Sequence, residues 1–145
     1  MDYDSYRKKF FAAPLPQPRF KFAGLHGAVL YFSDYNEAIA YYQRVLGPPA
    51  YVEGEGTRGW QIGNTWLTVL KGENGNPQNV EVLFVMRSLQ EAEQLQAAFI
   101  EAGGEGEVPS NQLMYEPVRY CPVRDPFGTN ILIICPLSGW ADRTL

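Results

Sequence analysis

Asp34-Tyr35-Asn36-Glu37-Ala38-Ile39-Ala40-Tyr41-Tyr42-Gln43-Arg44-Val45-Leu46-Gly47 is the stretch on which the fold turns. Asp34-x-x-Glu37 reads as a capping box opening a helix. Ala38, Tyr41, Tyr42, Val45 and Leu46 then recur at the spacing of one helical face, and Gly47 stops the run. Ahead of the box, Gly24–Phe32 is an apolar strand. The same order returns downstream, its second box 54 residues after the first, at Ser88-x-x-Glu91. Asn79–Met86 is the apolar strand before it. Ala92, Leu95, Phe99 and Ala102 form the helical face after it, and Gly103-Gly104 ends the helix.

Short strands follow each helix. Thr57–Ile62 and Thr65–Leu70 flank Gly63-Asn64, a two-residue hairpin signal. Val118–Arg124 and Thr129–Cys135 flank Asp125-Pro126-Phe127-Gly128, with Pro and Gly where a type I turn prefers them. Tyr51–Gly54 and Glu105–Val108 supply one more strand each. Each copy is therefore β-α-β-β-β, the first over residues 22–72 and the second over 79–136. A repeat of this period argues for paired modules in one domain, 19–137, and against a Rossmann sheet. Residues 1–18 mix four aromatics with Pro14, Pro16 and Pro18, which favour an extended arm. Residues 138–145, with Trp140, form a tail. Burial of these aromatic segments predicts a homodimer.

The 145 residues, 46% hydrophobic and 19% charged, suit one globular domain and exclude a disordered or fibrous chain. No apolar run approaches the roughly 20 residues of a membrane span. Twelve basic against sixteen acidic residues leave a net charge of −4, with no Lys/Arg cluster to track phosphates. Nucleic acid is not expected as a partner; a neutral or cationic small molecule is. Cys121 and Cys135 make neither a disulfide framework nor a zinc spacing. The apolar run after Arg7-Lys8-Lys9 is too short for a signal peptide, so the expected compartment is the cytoplasm. There is a single histidine, His26.

The ordered motifs resemble the vicinal-oxygen-chelate superfamily of glyoxalase I, bleomycin-resistance proteins and extradiol dioxygenases. The resemblance is carried by Tyr31-Phe32-Ser33-Asp34 running into Ala40-Tyr41-Tyr42-x-x-Val45-Leu46-Gly47, and by Ile62-Gly63-Asn64-Thr65-Trp66-Leu67. Ala102-Gly103-Gly104 and Asp125-Pro126-Phe127-Gly128 carry it in the second half. It implies an α+β fold: two β-α-β-β-β modules forming a curled mixed sheet, a cup, with the helices outside. The family's metal-ligand positions fall on Gly27, Thr68, Glu81 and Leu132. A divalent ion wants about three or four His or carboxylate ligands, so the resemblance implies no metal here and no cofactor. His26 misses the first position by one residue, which turns its ring to the other face.

Strand parity names the cup residues without the family. Glu81, Leu83 and Val85 face opposite to Val80, Val82, Phe84 and Met86. With Asp125–Gly128 as a four-residue turn, Arg119 and Cys121 share the cup with Leu132. Gln61 shares a face with Trp66 and Thr68, while Trp60 belongs to the core. The expected ligand-binding set is Tyr31, Gln61, Trp66, Thr68, Glu81, Arg119 and Leu132, with Tyr115 on the lid-like loop Pro109–Pro117. Glu81 is the candidate catalytic residue: a general base, a counter-charge for a cationic ligand, or the partner of Arg119 in an internal ion pair. Three functions stay open at this point. They are a metal-free small-molecule-binding protein of the bleomycin-resistance type, a glyoxalase-, isomerase- or dioxygenase-type enzyme using Glu81, and a structural interaction module.

Overall fold

The computed structural model describes residues 1–19, 26–73 and 80–138. Within them lie α1 (Tyr3–Phe10), β1 (Gly27–Phe32), α2 (Tyr35–Leu46), β2 (Tyr51–Glu53), β3 (Thr57–Ile62) and β4 (Thr65–Lys71). These are followed by β5 (Glu81–Val85), α3 (Leu89–Glu101), β6 (Glu105–Gly106), β7 (Ser110–Gln112), β8 (Val118–Arg124) and β9 (Asn130–Pro136). The opening residues of both apolar strands and most of the tail after Pro136 lie outside the described residues.

The fold is mixed α+β with two mixed sheets. The first has the order β1-β4-β3-β2 and the second β5-β9-β8-β6, with β7 also pairing β8. In each, the first strand runs parallel to the last while the remaining pairings are antiparallel. The repeat read in the sequence is thus a repeat of topology. Strand β7 falls inside the loop Pro109–Pro117, where no strand was expected.

Helix α1 corrects the expectation of an extended arm. Proline restricts itself and the residue before it, so prolines from Pro14 onward leave residues 3–10 free to coil. Asp2 starts the helix by accepting from the Ser5 amide at 2.8 Å. Ser88 does the same for α3, accepting from the Glu91 amide at 3.1 Å. Asp34 makes no such bond. Helix α2 is held instead by the face it buries, Tyr35, Ala38, Tyr41 and Tyr42.

One core joins the modules. It takes Leu30 and Phe32 from β1, Trp60 and Leu67 from the β3–β4 hairpin, and Phe84, Phe99, Ile131 and Ile133 from the second module. Two tyrosines cross between modules: Tyr41 donates to the Phe99 carbonyl at 2.8 Å, and Tyr42 to the Asp125 carboxylate at 2.5 Å. Phe32 and Phe127 rings meet at 5.3 Å.

The Gly63-Asn64 hairpin has the expected register, Ile62 opposite Thr65. The second hairpin does not. Arg124 stands opposite Asn130, so the connection has five residues, Asp125–Thr129. Asp125 causes this, because its carboxylate accepts from the amides of Phe127 and Thr129 at 2.9 and 2.8 Å, and its own amide donates to the Thr129 carbonyl. A one-residue slip flips every side chain. Arg119 and Cys121 therefore face α3, not the open side, and Cys121 lies opposite Ile133 instead of Leu132.

Candidate functional site

Each sheet buries one face under its helix and leaves the other open. On the first sheet, pairing sets Gln61, Trp66 and Gly27 in one row, and Tyr51, Gly59, Thr68 and Val29 in the next. Tyr31 continues the face beside Leu70. The expected residues Tyr31, Gln61, Trp66 and Thr68 thus do share it. Tyr31 and Val29 are about half exposed, whereas their neighbours Leu30 and Phe32 are buried. The Trp66 and Tyr51 rings meet edge-on at 6.5 Å. They meet over Gly59, where a Cβ would sit 3.3 to 3.4 Å from both side chains. Tyr51 was missed because strand parity cannot say which strands are neighbours.

On the second sheet, four strands bring Glu105, Arg124, Asn130 and Glu81 into one row. Beyond it lie Pro122, Leu132 and Leu83, then Tyr120, Ile134 and Val85. Glu81 and Leu132 are on the open face, as expected. Tyr120, Pro122 and Arg124 take the places on β8 that the four-residue turn gave to Arg119 and Cys121. The Asx-type reach of Asp125 to Thr129 is the signal that would have placed them. The polar row edges a cavity of about 360 Å³, with Tyr120 and Pro122 among its walls. Arg124 donates to the Asn130 side-chain oxygen at 3.3 Å.

Arg119 does not pair with Glu81. Its guanidinium meets Glu93 of α3 at 2.9 Å and donates to the Asn111 side chain at 3.0 Å. Glu81 is exposed, so water solvates it and no internal partner is required. The general-base reading rested on burial and loses that support. Tyr115 is 79% exposed and belongs to α1 more than to the open face: its carbonyl accepts from Tyr3 and its ring meets Phe11 edge-on at 6.2 Å. Cys121 and Cys135 are buried free thiols, and burial pushes both thiols up from their ordinary range, which keeps them unreactive.

The donor set does not fit a divalent ion. Gly27, Thr68, Glu81 and Leu132 lie on the open faces but supply one carboxylate, one hydroxyl and no imidazole. Position 27 cannot take a side-chain donor as the strand stands. Gly27 has φ +152°, and a Cβ there would collide with the Trp66 carbonyl oxygen. His26 is exposed, and its backbone carbonyl accepts from the Trp66 amide. Among the described residues no three His, Cys, Asp or Glu side chains converge to hold an ion.

Residues 24–133 match the family model of the Glyoxalase/Bleomycin resistance protein/Dioxygenase superfamily. The chain belongs to that superfamily. Among solved structures, it is similar to a glyoxalase/bleomycin resistance protein from Albidiferax ferrireducens, with a TM-score of 0.64 and 17% identity over 77% of this chain and 98% of that one. A lactoylglutathione lyase from Agrobacterium tumefaciens superposes with a TM-score of 0.60 at 16% identity, covering 79% of this chain and 95% of that one. A fosfomycin resistance protein from Listeria monocytogenes, complexed with manganese(II) and dihydroxypropylphosphonic acid, gives 0.60 at 18% identity, over 78% and 90%. These likenesses concern the fold. No curated protein matches the sequence. Among the described residues no helix is long and apolar enough to cross a membrane.

Proposed function

We propose that this protein binds a small molecule with an apolar or aromatic body on the open sheet faces, without a metal ion. The observation that carries the reading is the alternation along β1 and β5. Val29, Tyr31, Leu83 and Val85 are 40 to 50% exposed while the residues between them are buried in the core. Aliphatic and aromatic side chains left open beside a few polar groups are the usual make-up of a ligand site. The donor set supports the metal-free half of the proposal. Glu81 and Glu105 against the one cation Arg124 in the polar row, in a chain of net charge −4, favour a neutral or cationic ligand over an anionic one. The same exposed strands support the proposal that the chain is a homodimer.

The test is titration of the folded protein with two fluorescent probes, cationic thioflavin T and anionic anilinonaphthalene sulfonate. Both should bind, and Leu83→Asp should weaken both. Glu81→Gln should weaken only the cationic probe, by about 1.4- to fivefold, because an exposed charge pair is worth roughly 0.2–1 kcal/mol. Absence of binding by either probe, or binding untouched by Leu83→Asp, overturns the reading. Metal analysis of protein purified without chelator checks the other half, and a stoichiometric divalent ion would refute it.

A further inference from the structure

The open face of the second sheet is covered over β8 and β9 and left bare at β5. Leu83 and Val85 are 49% and 40% exposed, yet Val118, Leu132 and Ile134 on the same face are at most 9% exposed. Met114 and Tyr120 pack against those three. Tyr120 is part of the face. Met114 comes from the turn between β7 and β8 and is laid onto the sheet from outside. It is the single non-glycine residue with positive φ among the described residues, at +48°. A turn with no other duty would place Gly or Asn in that conformation, which is costly for an L side chain. Packing against the cluster of Val118, Leu132 and Ile134 offsets that cost.

The turn is also strapped and has room behind it. The Tyr3 hydroxyl donates to the Tyr115 carbonyl at 2.5 Å, and Phe11 meets the Tyr115 ring. Helix α1 buries none of its own residues, so holding this turn is what its contacts accomplish. Between α1 and the turn lies a cavity of about 300 Å³ lined by Tyr6, Phe10, Phe11, Met114 and Tyr115. An unbranched thioether side chain fits such irregular aromatic space readily.

We propose that Met114 is a removable plug on the ligand face. It packs on the Val118–Leu132–Ile134 cluster in the free protein, swings into the α1 cavity when a long apolar ligand enters, and so regulates what the face accepts. This rests on the reading that the open face binds small molecules. The experiment titrates anilinonaphthalene sulfonate into the full chain carrying Met114→Gly or Met114→Ala, with thermal melts alongside. Both variants should bind the probe at least about fivefold more tightly than the parent. Met114→Gly, which removes the strain together with the contact, should keep the melting temperature. Met114→Ala, which keeps the strain and loses the contact, should fold with a lower one. Adding Leu83→Asp should erase the gain. Unchanged or weaker binding in the folded variants overturns the plug, as does a gain that survives Leu83→Asp. Variants that both fail to fold overturn it too, since Met114 is then a core residue. Failure of the underlying reading looks different: there the parent's own binding is absent or is untouched by Leu83→Asp.

Discussion

At the scale of single residues, Tyr41 and Tyr42 do most to bind the modules together. Tyr42 donates a hydrogen bond to a carboxylate that is itself 3% exposed, so removing the hydroxyl leaves Asp125 short of a donor. Tyr42→Phe should lower the unfolding free energy by about 1.5–3 kcal/mol in urea titration, the worth of a hydrogen bond to a charged group. Tyr41→Phe should cost less, because the Phe99 carbonyl it serves is neutral. Burial pushes the Tyr41 hydroxyl up to about 12, and burial with the neighbouring Asp125 charge pushes Tyr42 well above 10. A raised value in the folded state means the stability is complete below pH 10 and is lost as pH climbs toward 12. The parent should therefore weaken steeply above pH 10, and Tyr41→Phe should blunt that slope. Equal slopes in the two proteins would exclude the assignment.

At the scale of elements, the two capping boxes look alike in sequence and differ in structure. Ser88→Ala should cost about 1 kcal/mol, since its oxygen accepts an amide. Asp34→Ala should cost only a few tenths, since Asp34 accepts none. Thermal melts of the two variants check this, and equal losses would contradict it. The boxes also show what was legible. Helical spacing and strand alternation report burial, so both helices, the Trp60 core position and the faces of Tyr31, Trp66, Thr68 and Glu81 could be read. The β8–β9 register could not be read from turn composition alone. Asp-Pro-Phe-Gly fits a four-residue turn, and only the carboxylate's reach to the Thr129 amide makes it five. That one residue moved Arg119 and Cys121 to the wrong face and hid Tyr120 and Arg124. Helix α1 was hidden by the prolines beyond it, although Asp2 was a visible cap.

At the scale of the whole molecule, β1 and β5 are each an edge of their sheet and carry exposed apolar side chains, Val29, Tyr31, Leu83 and Val85. Unpaired edges of this kind invite a second copy. Light scattering should give twice the 16.3 kDa of one chain, and Leu83→Lys should shift the mass toward the monomer. A 16.3 kDa species at high concentration would refute the dimer. Helix α1 sits on its own chain's turn, so the edge strands, not the N-terminal segment, are the surfaces to change. The strand order also sets a timetable. Gly27 finds its partner Trp66 39 residues further on, and Glu81 finds Asn130 49 residues further on, while each sheet's last two strands meet across a short turn. Closing long loops is entropically slower than zipping a hairpin. On the ribosome, the strand made first in each module is therefore the one paired last. It must wait, apolar side outward, until its hairpin has emerged and formed.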